Sequence, residues 1–350
     1  PRAPWPWRRA VRVGMAAMAA DAALAAPATR NLKRDGWLNS FGFEGIANFR
    51  DVAGVDPEDP ALQVAGGRLR RGLLYRSSQL QFATPRDLTL LTEALGVRTY
   101  LDLRSSEGVL ETRDGRVYDH FPPSPVRRPG QAAPSAVGQR RRVNFHLLRG
   151  IGLRKLTEAE KAGNEAAEPD SWLQFELRDP ATKRVPKATK ATPKEMVQKL
   201  ERQLAINNKA MLLLSGALIA KVLKECTQPG NYPIVFGCMT GKDRTGLISC
   251  LILGALGASD ETIIADFMLS QAAVKHNGLL AARNMELARA ENPKQFEGVD
   301  LPTGGPADPR NQVMASVFPG IMRYTLGVIR ELGGFEAYLD SIGFDAAERR

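Results

Sequence analysis

The sequence predicts an α/β fold, a central and mostly parallel sheet flanked by helices. Two observations carry that expectation. In the first third, an apolar strand-length run (Leu73, Leu74, Tyr75) is followed by a helical stretch from Pro85 and by a second buried run over 97–103. Strand, helix, strand in that order implies parallel pairing with both faces covered. Further on, residues 232–236 read as a buried strand entered through Pro233, then a glycine-bearing loop, then an apolar helix over 247–253. The 350 residues, 43% hydrophobic and 25% charged, suffice for one large domain or two small ones.

Residues 1–35 are rich in Ala, Arg and Pro; Arg8, Arg9 and Arg12 precede an apolar run that Asp21 interrupts. The run is too short to span a membrane. Its basic, acid-poor character predicts a disordered or targeting extension. The main domain is expected over 36–345. Residues 43–54 read as an extended entry and turn, and 67–77 as a strand. Thr84 is placed to cap a helix with Pro85 at its first position. Leu88, Leu90, Leu91 and Leu95 continue that helix, and Gly96 ends it. The next strand carries Asp102 at its C-terminal end. In such sheets sites lie beyond the carboxyl ends of strands, so Asp102 and Arg104 are expected at the same crevice as the loop after residue 236.

Residues 112–192 change character, with Pro122, Pro123, Pro125 and Pro129 close together. Between 121 and 200 there are 16 Lys and Arg against 8 Asp and Glu, in a chain of net charge +10. Arg140, Arg141 and Arg142 form one of the densest parts. The plain reading is a basic, solvated, partly disordered insertion. The functional one is peripheral contact with anionic membrane lipid. Nucleic acid is not expected, because no aromatic residues interleave the charges. A strand returning to the sheet is expected over 143–148. From Thr192 and Pro193 the pattern is helical, with a break near Asn207 and Asn208 and a second helix reaching Cys226. This pair is expected in the core. Helices are also expected over 262–270, 272–290, 314–332 and 335–341, with a Gly/Pro loop over 298–309.

The chemistry concentrates in residues 235–246. A strand, a tight loop and a helix N-terminus collect backbone N–H groups and the positive end of a helix dipole, which suits an oxyanion. Cys238 opens the loop and Arg244 closes it, with five residues between them. A thiolate is the nucleophile of cysteine chemistry, and its pKa falls near a cation and a helix N-terminus. Arg244 offers a planar fork of donors to phosphate oxygens. Thr245 can donate to the thiolate, and Asp243 can protonate a leaving oxygen. The expected phosphate cradle is Met239, Thr240, Gly241, Lys242, Asp243, Arg244 and Thr245. A Walker A reading fails on spacing, since Asp243 stands where Ser or Thr must bind magnesium. Cys226 and Cys250 read as core thiols. The three Cys give no disulfide framework, and His120, His146 and His276 give no metal cluster. No metal or cofactor is expected, and a free thiol suits a reducing, cytoplasmic compartment.

From Cys238 to Gly246 the string looks like the signature of cysteine-dependent tyrosine phosphatases. Its Gly-Lys-Asp-Arg-Thr-Gly version resembles the atypical tyrosine/serine phosphatase family of bacteria, fungi and algae. Three further stretches are similar to that family in the same order: Asn48-Phe49-Arg50-Asp51, Tyr75-Arg76-Ser77, and Asp102-Leu103-Arg104. Asp266-Phe267 resembles its Asp-Tyr pair. The resemblance implies a cysteine-phosphatase-like fold with a helical lid. It implies phosphotyrosine substrates, with phosphoserine, phosphothreonine or phosphoinositide as further classes. Hydrolysis would run through a cysteinyl-phosphate, with Asp243 as loop carboxylate and Asp102 as the alternative acid. The family has His before the nucleophile; here Gly237 stands in its place, which implies a weakened enzyme. The alternative is a pseudophosphatase that binds phosphorylated ligands without turnover.

Overall fold

The structure, a computed structural model, describes residues 41–55, 61–65, 67–104, 115–124, 140–148, 193–273 and 316–349. The strands in chain order are β1 (Arg50–Asp51), β2 (Gln63–Val64), β3 (Gly67–Arg68), β4 (Leu74–Ser77), β5 (Thr99–Asp102), β6 (Arg141–Asn144) and β7 (Ile234–Gly237). Five of them form one sheet in the order β1-β4-β7-β5-β6, and β2 and β3 make a separate hairpin. Within that sheet only the β1–β4 pair is antiparallel; β4, β7, β5 and β6 run parallel. The helices are α1 (Pro85–Thr89), α2 (Gly115–His120), α3 (Pro193–Leu214), α4 (Gly216–Cys226), α5 (Asp243–Ala255), α6 (Asp260–Leu269), α7 (Pro319–Glu331) and α8 (Gly334–Ser341). The α/β expectation holds: a mostly parallel sheet with helices on its faces.

β7 is central and wholly buried, as its unbroken apolar run requires. Its side chains alternate between two cores. Ile234 and Phe236 face one built with α3 to α8. Val235 faces a second, built from Phe43, Phe49, Tyr75, Leu91, Tyr100 and Phe121. Register then positions the site. Gly237 is level with Ser77 of β4 and with Asp102 of β5. The segments leaving all three strands therefore emerge together.

α1 begins as its sequence demands. Thr84 caps it, Pro85 follows, and Asp87 closes a capping box. The helix then widens into a π turn over Leu90–Ala94, and Gly96, at φ +61°, stops it.

Three expectations shift. β6 starts two residues early, at Arg141, because Arg141 and Arg142 are buried in the ladder. Arg141 is paired with Glu225, and Arg142 with Asp102. Charges expected on a solvated segment are thus neutralised inside the fold. α3 does not break at Asn207 and Asn208; buried Asn208 donates to Thr325 Oγ1 at 2.9 Å, and the break falls at Ser215. Within the expected insertion, Val117, Phe121, Val143, Phe145 and Leu147 are core residues. The remainder of that insertion, the 272–290 helix and the 298–309 loop lie outside the described residues. The second half of α3 and all of α4, bent at 82° to each other, are core-packed; among the described residues no single helix is long and apolar enough to cross a membrane.

Candidate active site

Cys238 follows β7 directly, and α5 begins at Asp243. Between them the loop turns its carbonyls outward, and each has a partner. Met239 O accepts from Gln79 N at 3.1 Å. Thr240 O accepts from Asn48 Nδ2 at 3.1 Å. Gly241 O accepts from Asn48 Nδ2 at 3.0 Å and from Arg76 Nη2 at 2.9 Å. In a planar trans peptide the C=O and N–H point opposite ways. The N–H groups of Thr240, Gly241 and Lys242 therefore face away from these anchors. The opening N–H groups of α5 add to them. Only glycine fits at 241, with φ +68° and Ser77 O just 2.4 Å from where a Cβ would sit.

Behind the loop stands a buried ion cluster. Asp266 receives Arg50 Nε at 3.1 Å and also pairs with Arg76. Arg50 also donates to Asp266 O at 2.7 Å, to Ser270 Oγ and to Asn48 Oδ1. Burial and the neighbouring Arg76 pull Arg50 down to about 9, so it stays charged at neutral pH. Burial works against the Asp266 carboxylate, but the two arginines outweigh it and hold its carboxyl below the usual range. Asn48 sits at φ +55°, a region asparagine tolerates better than most residues. The cluster fixes Asn48 and Arg76, and those two fix the loop.

Cys238 is only 1% exposed. Burial alone would raise its pKa, as it does strongly for Cys226 and Cys250. For Cys238 the outcome is reversed: Arg244 and the hydroxyl and N–H of Thr245 together bring the thiol below its ordinary value. The Thr245 hydroxyl is buried with no partner of conventional geometry, so it is free to turn to the sulfur. Arg244 is held by Leu103 O at 3.2 Å. An acidic thiol and a guanidinium meet at one point, where the N–H of Thr245 also reaches the sulfur.

Residues 41–350 match a model of the tyrosine phosphatase family. The chain belongs to that family. It is 29% identical over 238 residues to the triple specificity protein phosphatase PtpB of Mycobacterium tuberculosis, covering 66% of this chain and 68% of that protein. It is 26% identical over 240 residues to a putative tyrosine-protein phosphatase of Cupriavidus necator, H16_A0669, spanning 66% of this chain and 63% of the relative.

Among the residues expected at this phosphatase site, the structure brings Cys238, Met239, Thr240, Gly241, Arg244 and Thr245 together. Asp243 is also close, since its charge opposes the Cys238 thiolate, and its Oδ1 is buried without a hydrogen-bond partner. Lys242 is placed differently: its side chain is 1% exposed, and Nζ donates to Ser316 O at 3.0 Å and lies 3.6 Å from Asp243. Asp102 does not have the form of an acid. It is fully buried, bound by Arg104 through both oxygens and by Arg142 at 3.0 Å. Burial is outweighed by these cations and its carboxyl stays low, so it carries no proton to give. Its work is to hold Arg104, which also reaches Gln81 Oε1 at 2.6 Å. Gly237 has a steric reason. A Cβ there would lie 2.8 Å from Ser77 O and 2.9 Å from Ser77 Oγ, so histidine has no room beside β4.

The anchors Asn48, Arg50, Arg76, Asp266 and Ser270 were not legible as site residues. Four of them fall in stretches that resemble the family, and the available signal was their polarity inside otherwise apolar segments. What that signal lacked was the fold that delivers them to carbonyls some 190 positions away along the chain.

Proposed function

We propose that the chain hydrolyses phosphomonoesters through a cysteinyl-phosphate on Cys238, with phosphotyrosine as the leading substrate class. The observation that carries this reading is the placement of Cys238 at the end of β7 beside Arg244 and Thr245 in the first turn of α5, a setting that holds its thiol below the ordinary value despite burial. The thiolate attacks phosphorus as the bond from phosphorus to the leaving oxygen breaks. Arg244 and the inward N–H groups take the equatorial oxygens. Asp243 gives its proton to the leaving oxygen. The resulting carboxylate then takes a proton from water as that water attacks phosphorus. The S–P bond breaks, releasing phosphate and the thiolate.

The missing histidine does not argue for a silent binding module. The loop carbonyls that orient the anion site are already held by Gln79, Asn48 and Arg76. The test is turnover of an aryl phosphate with reductant and chelator present, followed by a panel of phosphotyrosine, phosphoserine and phosphoinositide substrates. Turnover by the wild type that Cys238→Ser abolishes is expected. Equal turnover by both would refute the reading.

A further inference from the structure

Arg244, the guanidinium beside Cys238, is itself held from outside the catalytic loop. Its Nη1 donates to Leu103 O at 3.2 Å, so its aim depends on where that carbonyl points. Leu103 follows β5 directly. On the far side of β5 lies β6, where Asn144 stands level with Asp102. Resting on the function proposed above, we infer that Asn144 is a positioning residue for the hydrolysis. Through the backbone of residues 102–104 it sets the direction of the Leu103 carbonyl, and through that carbonyl the aim of Arg244.

A strand with a neighbour on each side turns alternate peptide groups to one and then to the other. β5 is such a strand, between β7 and β6. Leu103 faces β7: its N–H donates to Gly237 O at 2.8 Å, and its carbonyl goes to Arg244 in the first turn of α5. Asp102 and Arg104 face β6. Asn144 Nδ2 donates to both of their carbonyls, to Asp102 O at 3.3 Å and to Arg104 O at 3.0 Å. One amide thus spans the carbonyls on either side of Leu103. Because peptide groups are planar, this leaves the carbonyl between them little freedom to turn.

The strand ladder does not do this unaided. Phe145 N takes Asp102 O at 2.7 Å, but β6 ends at Asn144. Arg104 O therefore meets a side chain in place of the next ladder N–H. The Asp102 carboxylate supports the same turn from within, accepting Arg104 N at 3.1 Å. A leucine at position 144 would fill a similar volume and leave both carbonyls without that donor. Against the penalty of burial, Arg244 is the leading group that favours the Cys238 thiolate. A loss of its aim must therefore register at the sulfur as well as at a bound anion.

The test uses the full chain and two readouts that need no turnover: the pH midpoint of Cys238 alkylation by iodoacetate, and the Kd for vanadate. Asn144→Leu should raise the midpoint, in the direction of Arg244→Met, and weaken vanadate by about tenfold. In the Arg244→Met background Asn144→Leu should move the midpoint no further, because its effect passes through Arg244. A general loosening of the fold would instead add in both backgrounds. Asn144→Ser, too short to span both carbonyls, should repeat the result if melting curves show that Asn144→Leu does not fold. A wild-type midpoint and vanadate affinity in a folded Asn144 variant overturn the inference. So does an equal rise of the midpoint in the Arg244→Met background. A wild-type chain that fails to turn over aryl phosphate would refute the hydrolase reading and leave both of these readouts standing.

Discussion

A thiol enclosed in protein is ordinarily a weaker acid than one in water, because burial penalises its charged form. Cys226 and Cys250 follow that rule and Cys238 departs from it. The departure is measurable. Alkylation of Cys238 by iodoacetate should titrate with a midpoint below the ordinary thiol value of 9.0. The sign follows from the cause: Thr245→Val or Arg244→Met removes a group that favours the thiolate, so each should move the midpoint up. A midpoint that stays put in both variants would show that neither group acts on the sulfur. Arg244→Met should also lower kcat by about a hundredfold or more, as expected when transition-state donors are removed. Position 237 gives a second residue-scale test. Gly237→His pushes a Cβ against the Ser77 carbonyl, so it should destabilise by about 1–3 kcal/mol, as overpacking does, and should not raise kcat. Thermal melts and aryl phosphate turnover check this, and a faster, equally stable variant would contradict it. Cys238 and Arg244 were legible because strand, loop, helix and spacing are all local. The reason for Gly237 was not, because the atom it must avoid belongs to a strand 160 positions away.

The catalytic loop depends on elements that are remote in sequence. β1 supplies Arg50, with Asn48 just before it; β4 supplies Arg76; and α6 supplies Asp266, with Ser270 just after it. Asn48→Ala removes the donor to two loop carbonyls. Each lost hydrogen bond costs about 0.5–1.5 kcal/mol net, and part of that should appear as loop disorder rather than unfolding. The expected result is a fall in kcat with a parallel fall in affinity for vanadate, a phosphate analogue, and a lower Tm as well, because Arg50 loses an acceptor and alanine is strained at φ +55°. Unchanged vanadate affinity would mean that the loop holds its own shape. Asp266→Asn is harsher, because it leaves Arg50 and Arg76 buried without their carboxylate. Breaking such a cluster costs about 3–5 kcal/mol, so Tm and kcat should fall together. At this scale the sequence was legible wherever a cap or stop is local, as at Thr84, Pro85 and Gly96. It misled at Arg141 and Arg142, whose charges read as solvent-facing. Their partners Glu225 and Asp102 lie in other elements.

Over the whole chain the +10 net charge is partly internal, since Arg50, Arg76, Arg104, Arg141 and Arg142 are buried against carboxylates. Asp102 and Asp266 have folded pKa values below those of the unfolded chain. Their stabilisation is therefore fully present above the unfolded carboxylate value of about 3.9, and is lost as pH falls through the folded values. Tm should hold from neutral down to about pH 5 and drop steeply below about pH 4, with protons taken up on unfolding. A flat profile to lower pH would show that the two clusters add no pH-linked stability. The α/β class and the parallel sheet were legible from alternating apolar runs. The hold of Asn144 on the carbonyls of Asp102 and Arg104 was not, because strands some 40 positions apart meet only in the fold.

The most direct test of the mechanism is to trap the phosphoenzyme. The wild-type chain is mixed with an aryl phosphate labelled on phosphorus, quenched with acid during turnover, and mapped by peptide. Label on the peptide that carries Cys238, absent in Cys238→Ser, is the predicted result. Turnover by the wild type with label on another residue, or with none bound to protein under conditions that preserve a thiophosphate, would contradict the account.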